Sequence, residues 1–506
     1  MGEAVAKIDL GQSKGEDVMR RGVDEFKSHD LVFALVAHAG SGATVVATQL
    51  QELLGLKGYD AQIVKLSGII KDVAFRRSII KNMEFEKRSV ATTVALQDAG
   101  DELRRLFGAS AIASLAIQKI HTLRSTEATK PVAFILDSIK HYKEVEMLRA
   151  VYGNSFYLIS VICSPDNRIK RLKDKYEDDA ARDIEDLADR DDVGGSDFGQ
   201  NVRKTLFLGD LFISNENPEK KQLASDLDRF VDIINDLYIA GPTRHEKGMF
   251  AAYCAALTSS CLSRQIGAAI LDDDGNIISS GRNDVPMSGG GLYSVDCSKD
   301  DRCHVYRQCE NDALKERMYK DIFNKLKSKG ILSEKVLQEN VRSCLQETRI
   351  KDLIEFSRAV HAEMDAIVGV ARTGRGSTSK ATLYTTTYPC HNCARHIVAA
   401  GIKEVIYIEP YPKSLAAVLH DDAIIEMSPA QSAKGDRVPF RLFSGVAPRR
   451  YASLFERLGE VKDPTGKRIE LDPKIGKHRN PILLVSYLDI EKKIADQMMH
   501  LIEEDN

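Results

Sequence analysis

His361, Glu363, Cys390 and Cys393 are the residues of this chain whose types and spacing suit chemistry at a metal. They stand in two short stretches, H-A-E from His361 and P-C-H-N-C from Pro389. One imidazole and two thiolates supply three ligands for zinc and leave the fourth tetrahedral position to water. Cys390 and Cys393 are three apart, so at a helix start both sulfurs face one way. Pro389 suits that helix start, and the helix dipole there favours two thiolates. Zinc brings the pKa of a bound water toward ~7, and a carboxylate beside it, Glu363, can take the proton and pass it to a substrate. A structural zinc knuckle is the competing reading. It would close with a fourth protein ligand, and none follows nearby in sequence.

A second stretch, AHAGSGAT from Ala37 to Thr44, matches a phosphate-binding loop without its lysine. The usual pattern is G-x-x-x-x-G-K-[ST]. Here Ala37 holds the first glycine position, Gly42 the last, Ala43 the lysine position and Thr44 the hydroxyl position. Gly40, Ser41 and Gly42 still let backbone N–H groups approach a phosphate at a helix N-terminus. Asp137, within the run FILDSI, is placed as a strand-end acid, and with Thr44 it is a candidate Mg²⁺ site. The unit resembles nucleoside monophosphate kinases, and Arg168 and Arg171 stand where such kinases carry phosphate-contacting arginines. Without the lysine, binding is expected to survive and phosphoryl transfer to fail. A loop that only joins strand to helix is the alternative.

These motifs need elements to hold them. The 506 residues exceed one ordinary core, so two domains are expected, 1–238 and 239–506. Between about 25 and 235, apolar runs (LVFALVA, VAFILDS, FYLISVIC, LFLGDLFIS) alternate with helical patterns, which predicts an α/β unit with a mostly parallel sheet and helices on both faces. The charged segment from Asn167 to Asp197 reads as exposed helices or a lid. IAGPTRHE marks the boundary. Beyond it, QIGAAILDDDGNIISSGRN reads as a hairpin turning at Asp274–Gly275, followed by a charged helical stretch over 313–358. AVHAEMDAIVGVA and CHNCARHIVAAG read as helices that alternate with the strands ATLYTTT and EVIYIEP, the first helix leading into ATLYTTT and the second into EVIYIEP. Gly401 closes the second helix. Net charge −3, no membrane-length apolar run and no signal-peptide pattern point to a cytoplasmic protein. Nine cysteines without a secretion signal are not a disulfide framework.

Cys297, Cys303, His304 and Cys309 crowd into one segment, with Cys261 upstream. They offer enough ligands for a second zinc, although the spacing matches no standard finger; incidental thiols in a flexible insert are the other reading. Cys163, Cys254 and Cys344 read as packing residues.

The stretches CLSRQIGAAI, SGRNDVP, HAEMDAI and TYPCHNCARHIVAAGIKEVIYIEPY resemble the successive motifs of deoxycytidylate deaminases, over about residues 245–415. H-x-E with P-C-x-x-C is the signature of zinc nucleobase deaminases, in which the glutamate moves protons to the ring nitrogen and leaving amine. The resemblance implies a cytidine-deaminase-like α/β/α domain, a homo-oligomer (a hexamer), a sugar-binding role for Asn283, phosphate-side roles for Arg264 and Gln265, and a border on the substrate for Tyr411. The whole chain, with EPYPKSLA and its charged insert, resembles bacterial two-domain antiviral deoxycytidine nucleotide deaminases, which fuse a kinase-like domain to the deaminase. That resemblance implies attack on dCTP and dCMP during phage infection, a regulatory first domain with a dNTP effector, and restraint by a small noncoding RNA. A polynucleotide cytidine deaminase is a competing function; the slightly acidic chain without Trp argues against it. A housekeeping dCMP deaminase with an extra regulatory domain is another. A non-catalytic zinc module is a third, and Glu363 argues against it.

Overall fold

The computed structural model describes residues 26–80, 89–124, 130–177, 179–190, 198–216, 221–237, 241–411, 413–429, 435–457, 461–469 and 472–503. Two compact units divide the chain: Met1–Gly241 with Ser444–Asn506, and Pro242–Phe443.

In the first unit a short β1 (Lys27–Ser28) leads to β2 (Leu31–Ala37), the run LVFALVA, buried at every position. A continuous apolar run suits a parallel strand covered on both faces. β3 (Asp60–Lys65), β4 (Val132–Ile139), β5 (Phe156–Ile162) and β6 (Leu211–Ser214) join it in parallel, in the order β6-β5-β2-β4-β3. Helices Ala43–Leu56 and Lys221–Ile234 pack Val46, Leu50 and Phe230 against Phe33, Leu35 and Ile159. Val32, Ala34 and Val36 alternate to the other face and are buried too. The charged segment forms helices Pro165–Lys175 and Ala181–Arg190 that bury Leu172, Tyr176, Ile184 and Leu187 with Val90. Its residues 191–197 lie outside the described residues.

The second unit is built on β7 (Gly267–Leu271), β8 (Ile277–Arg282), β9 (Thr382–Thr387), β10 (Glu404–Glu409), β11 (Ile424–Met427) and β12 (Val438–Leu442), in the order β11-β12-β10-β9-β7-β8. β7 and β8 form the expected hairpin, with Gly275 at φ 81° in its turn. β9, β10, β12 and β11 run parallel to one another, and β7 runs antiparallel to β9. Helix Arg244–Leu257 starts at a capping box of Thr243 and Glu246. Helices Ala362–Thr373 and His391–Ala399 carry the zinc motifs. The first of these lies so close to β8 that a Cβ on Gly281 would sit 2.3 Å from the Ala362 carbonyl oxygen. Gly401, at φ 71°, closes the second as expected. The charged stretch contributes helices Glu310–Ser328 and Gln338–Gln346.

The chain then returns to the first unit. β13 (Gly445–Val446) pairs antiparallel with β6, β14 (Ile482–Leu483) pairs with β1, and helix Val485–Glu503 packs on helix Ala111–Leu123. Residues 444–506, expected in the second domain, therefore belong to the first unit, where Asp210 meets Arg449 and Arg450. The expected boundary at 238/239 falls in 238–240, outside the described residues. Among the described residues no single helix is long and apolar enough to cross a membrane.

Candidate active site

Two helix starts in the second unit converge. His361 is the N-cap of Ala362–Thr373, and Cys390 is the N-cap of His391–Ala399. His361 Nδ1 lies 3.3 Å from Cys390 Sγ and 3.3 Å from Cys393 Sγ. The Cys393 N–H donates to Cys390 Sγ at 3.4 Å, as a residue on the first helical turn can. Hydrogen bonds with Cys393 and His361 hold the Cys390 thiol down to about 4, against its burial. These donors fit zinc. Bond lengths of about 2.1 Å to nitrogen and 2.3 Å to sulfur place tetrahedral ligand atoms roughly 3.6–3.8 Å apart. Among the described residues these three form the only group of His, Cys, Asp or Glu whose ligand atoms converge for a metal. Replacing His361, Cys390 or Cys393 by Ala is expected to abolish stoichiometric zinc, read by plasma mass spectrometry on the purified protein; full zinc content in any of the three would remove that residue from the ligand set.

Glu363 follows on the first turn of the same helix as His361. It is 4% exposed, and its Oε2 lies 3.5 Å from Cys393 Sγ. Burial raises its carboxyl above the usual carboxylate range. A cavity of about 170 Å³ opens in front of this group, and Asn283, Arg264 and Tyr411 line it with His361, Glu363 and Cys390. The Asn283 amide is engaged on the turn before β7: Oδ1 accepts from Ile266 N at 2.7 Å, and Nδ2 donates to the Arg264 carbonyl at 2.7 Å. Arg264 pairs with Glu409. Gln265 does not line the cavity; its side chain turns back to the Ser259 carbonyl, 2.8 Å away. Arg358, three residues before His361, also lines the cavity. Reading the sequence missed it because nothing but proximity to H-A-E marks it.

The second zinc set does not assemble. No three of Cys261, Cys297, Cys303, His304 and Cys309 bring their ligand atoms within 4.8 Å of one another. Cys297 Sγ instead lies 3.5 Å from Met287 Sδ, and His304 Nε2 lies 3.8 Å from Asp300. Cys261, Cys303 and Cys309 are on the cavity wall. Charged partners, Asp300 with Arg302 and Asp284 with Arg302, order this segment.

In the first unit the phosphate-type loop has the expected backbone. Gly40 and Gly42 adopt φ 80° and 84°, and Gly42 caps helix Ala43–Leu56. A Cβ at Gly40 would meet the Arg168 carbonyl oxygen at 2.5 Å. Thr44 Oγ1 donates to Asp137 Oδ2 at 2.8 Å, which brings the candidate Mg²⁺ residues together. Gly40, Gly42, Ala43, Thr44, Asp137 and Arg171 line one cavity. Ser41 is buried, and its carbonyl accepts from Asn215 Nδ2 at 2.8 Å. Arg168 is not on the cavity wall: it is buried and holds the loop through the Ala39 carbonyl at 3.1 Å.

A nitrogen and two sulfurs at converging helix starts over a mixed sheet, with a buried carboxylate alongside, define a zinc hydrolase of the nucleobase deaminase class. Residues 242–409 match the cytidine and deoxycytidylate deaminase zinc-binding region. A deoxycytidylate deaminase of Enterobacteria phage T2 is 32% identical over 166 residues, which are 32% of this chain and 78% of that protein. The chain belongs to the cytidine and deoxycytidylate deaminase family. Its other unit is similar to proteins of the UPF0200 type: one from Archaeoglobus fulgidus is 29% identical over 160 residues, 32% of this chain and 43% of that protein. Among solved structures, the dCMP deaminase of cyanophage S-TIM5 in complex with dCMP and dUMP is 17% identical with a TM-score of 0.23, covering 40% of this chain and 99% of its own.

Proposed function

We infer that the protein hydrolyses the amino group from deoxycytidine nucleotides, converting dCMP and dCTP to dUMP and dUTP with release of ammonia. The observation that carries this reading is Glu363 buried beside His361, Cys390 and Cys393 at the base of an open cavity. The relatives from phages T2 and T4, both deoxycytidylate deaminases by name, support the substrate class. Zinc held by the three ligands supplies the Lewis acidity that makes water nucleophilic at neutral pH. Water adds at C4 of cytosine. Glu363 takes the proton of the attacking water and delivers it to N3, then takes the proton of the new C4 hydroxyl and hands it to the amine as the C4–N bond breaks, ammonia leaves and the C4 carbonyl forms. In this reading Asn283 lies on the sugar side, Arg264 on the phosphate side, and Tyr411 borders the substrate.

In this reading the enzyme is a cytoplasmic homo-oligomer that drains the dCTP pool during phage infection. The first unit acts as its sensor. It binds a deoxynucleoside triphosphate without transferring phosphate, because residue 43 is Ala, and it takes restraint from a small noncoding RNA. Both inputs would act by favouring one of two states of the chain. Incubation with each cytosine nucleoside, nucleotide and single-stranded oligonucleotide, followed by chromatography of the products, tests the activity. The expected order is dCMP or dCTP well above cytidine, with the oligonucleotide unchanged. Faster deamination of the oligonucleotide than of any mononucleotide would make this a polynucleotide deaminase. Glu363→Ala expressed in cells should remove protection against phage; protection that persists would detach the defence role from the deamination.

A further inference from the structure

The loop of the first unit lacks its lysine, yet the cavity beside it is basic. Its charged wall residues are Lys65, Arg104, Lys140, Arg171 and Lys175 against Asp137 alone, in a chain of net charge −3. Arg104 is already paired with fully buried Glu144, Nε to Oε1 at 2.8 Å, and the others still outnumber the acid. The cavity measures about 610 Å³, a size typical of small-molecule sites. Such a wall suits a polyanion. Its polar furniture narrows the class further. Gln200 is 6% exposed, stands in the wall, and its Oε1 has no hydrogen-bond partner among the described residues. A buried acceptor without a donor is costly. Ionised phosphate oxygens are themselves acceptors and cannot satisfy it, whereas a sugar hydroxyl or a base amine can.

Lys140 is the cation held in place by its surroundings. It follows β4 directly, and its Nζ donates to the carbonyl of Ala37, the first residue of the loop, at 2.9 Å. Its own backbone is held from both sides. The N–H donates to Glu144 Oε2 at 3.0 Å, and the carbonyl accepts from Asn201 N, next to Gln200, at 2.9 Å. Arg171 reaches the other side of the loop, with Nη1 3.4 Å from the Ser41 carbonyl. A lysine on the loop helix would bring its charge to a bound phosphate from position 43; here the charge stands on the neighbouring strand end, already oriented.

We propose that Lys140 takes the place of the missing loop lysine, so that this cavity holds a nucleoside polyphosphate whose sugar or base meets Gln200. The proposal rests on the reading of the first unit as a nucleotide sensor. Isothermal titration of the full, zinc-loaded chain with ATP and with tripolyphosphate, each with Mg²⁺, tests both and separates them. ATP carries no cytosine and so avoids the deaminase substrate. Wild type is expected to bind ATP more tightly than tripolyphosphate. Lys140→Gln keeps an N–H for Ala37 but removes the charge, and should weaken ATP roughly 10- to 100-fold. Ala43→Lys in that variant should restore most of the affinity by returning the charge to the usual position, which also shows that the fold is intact. Gln200→Leu should weaken ATP and leave tripolyphosphate unchanged. Wild-type affinity in Lys140→Gln would overturn the role of Lys140. Equal affinity of wild type for ATP and tripolyphosphate would overturn the nucleoside class. No binding of either ligand by wild type, with no binding of dATP in the same titration, would overturn the sensor reading and the proposal with it.

Discussion

Glu363→Gln leaves the chain folded and zinc-loaded and lowers its rate of ammonia release by roughly 10²- to 10⁴-fold, the usual contribution of a positioned acid–base group. The side chains are nearly isosteric, so the cavity keeps its shape. What changes is the capacity to carry a proton. Glu363 is buried, sits 3.5 Å from Cys393 Sγ, and its carboxyl is raised by desolvation, so its protonated form is accessible nearer to neutrality than that of an exposed glutamate. Hydrolysis of a cytosine amine needs a proton moved twice, first to N3 and then to the departing amine, and an amide can do neither. The zinc should stay, because its ligands are His361, Cys390 and Cys393. Steady-state ammonia release and metal content measured on one sample decide the matter. Turnover near that of wild type would refute the shuttle. Loss of zinc together with activity would make Glu363 a ligand and return the site to a structural reading.

Asp210→Asn destabilises the first unit by about 3–5 kcal/mol, the cost of breaking a buried ion network from one side. Asp210 is 2% exposed. Its Oδ1 accepts from Arg449 Nη2 at 2.9 Å and lies 3.4 Å from Arg450 Nε, while Oδ2 accepts from Leu158 N at 2.8 Å and lies 3.5 Å from Arg149 Nη2. Burial alone would raise this carboxyl; Arg449, Arg450 and Arg149 outweigh it and hold the group below the ordinary carboxylate value. The folded value is thus below the unfolded one. The stabilisation is therefore present in full above the unfolded value, ~4, and is lost as pH falls through the folded value. In Asp210→Asn the three guanidinium groups face a neutral amide and repel one another. The segment carrying Arg449 and Arg450 includes β13, so its hold on β6 should loosen with it. Urea unfolding followed by hydrogen exchange of 211–214 and 445–446 reads the effect. An unchanged midpoint at neutral pH, with unchanged protection of both strands, would show that packing alone secures the segment.

The zinc residues were legible because their chemistry is local. Each of the two short spans, H-A-E and P-C-H-N-C, carries its own signal in a few residues, and the helix starts that aim them follow from the same spans. The parallel sheet of the first unit was legible for a related reason: apolar runs such as LVFALVA bury both faces of a strand whatever lies around them. What the sequence left open depends on partners distant along the chain. Gln265 and Arg264 are neighbours, yet one turns to Ser259 and the other lines the cavity, a choice made by packing around the turn. No three of the five metal-type side chains crowded between 261 and 309 bring their ligand atoms together, because nearness in sequence does not aim side chains; the Asp284–Arg302–Asp300 cluster orders part of this segment by charge. Lys140 has no motif of its own; only the parallel pairing of β2 with β4 brings its strand end beside the loop that begins at Ala37. Residues 444–506 carry no mark of the sheet they complete. That they return to the first unit was decided by β6, whose free edge β13 covers, and by a buried aspartate that three arginines must neutralise.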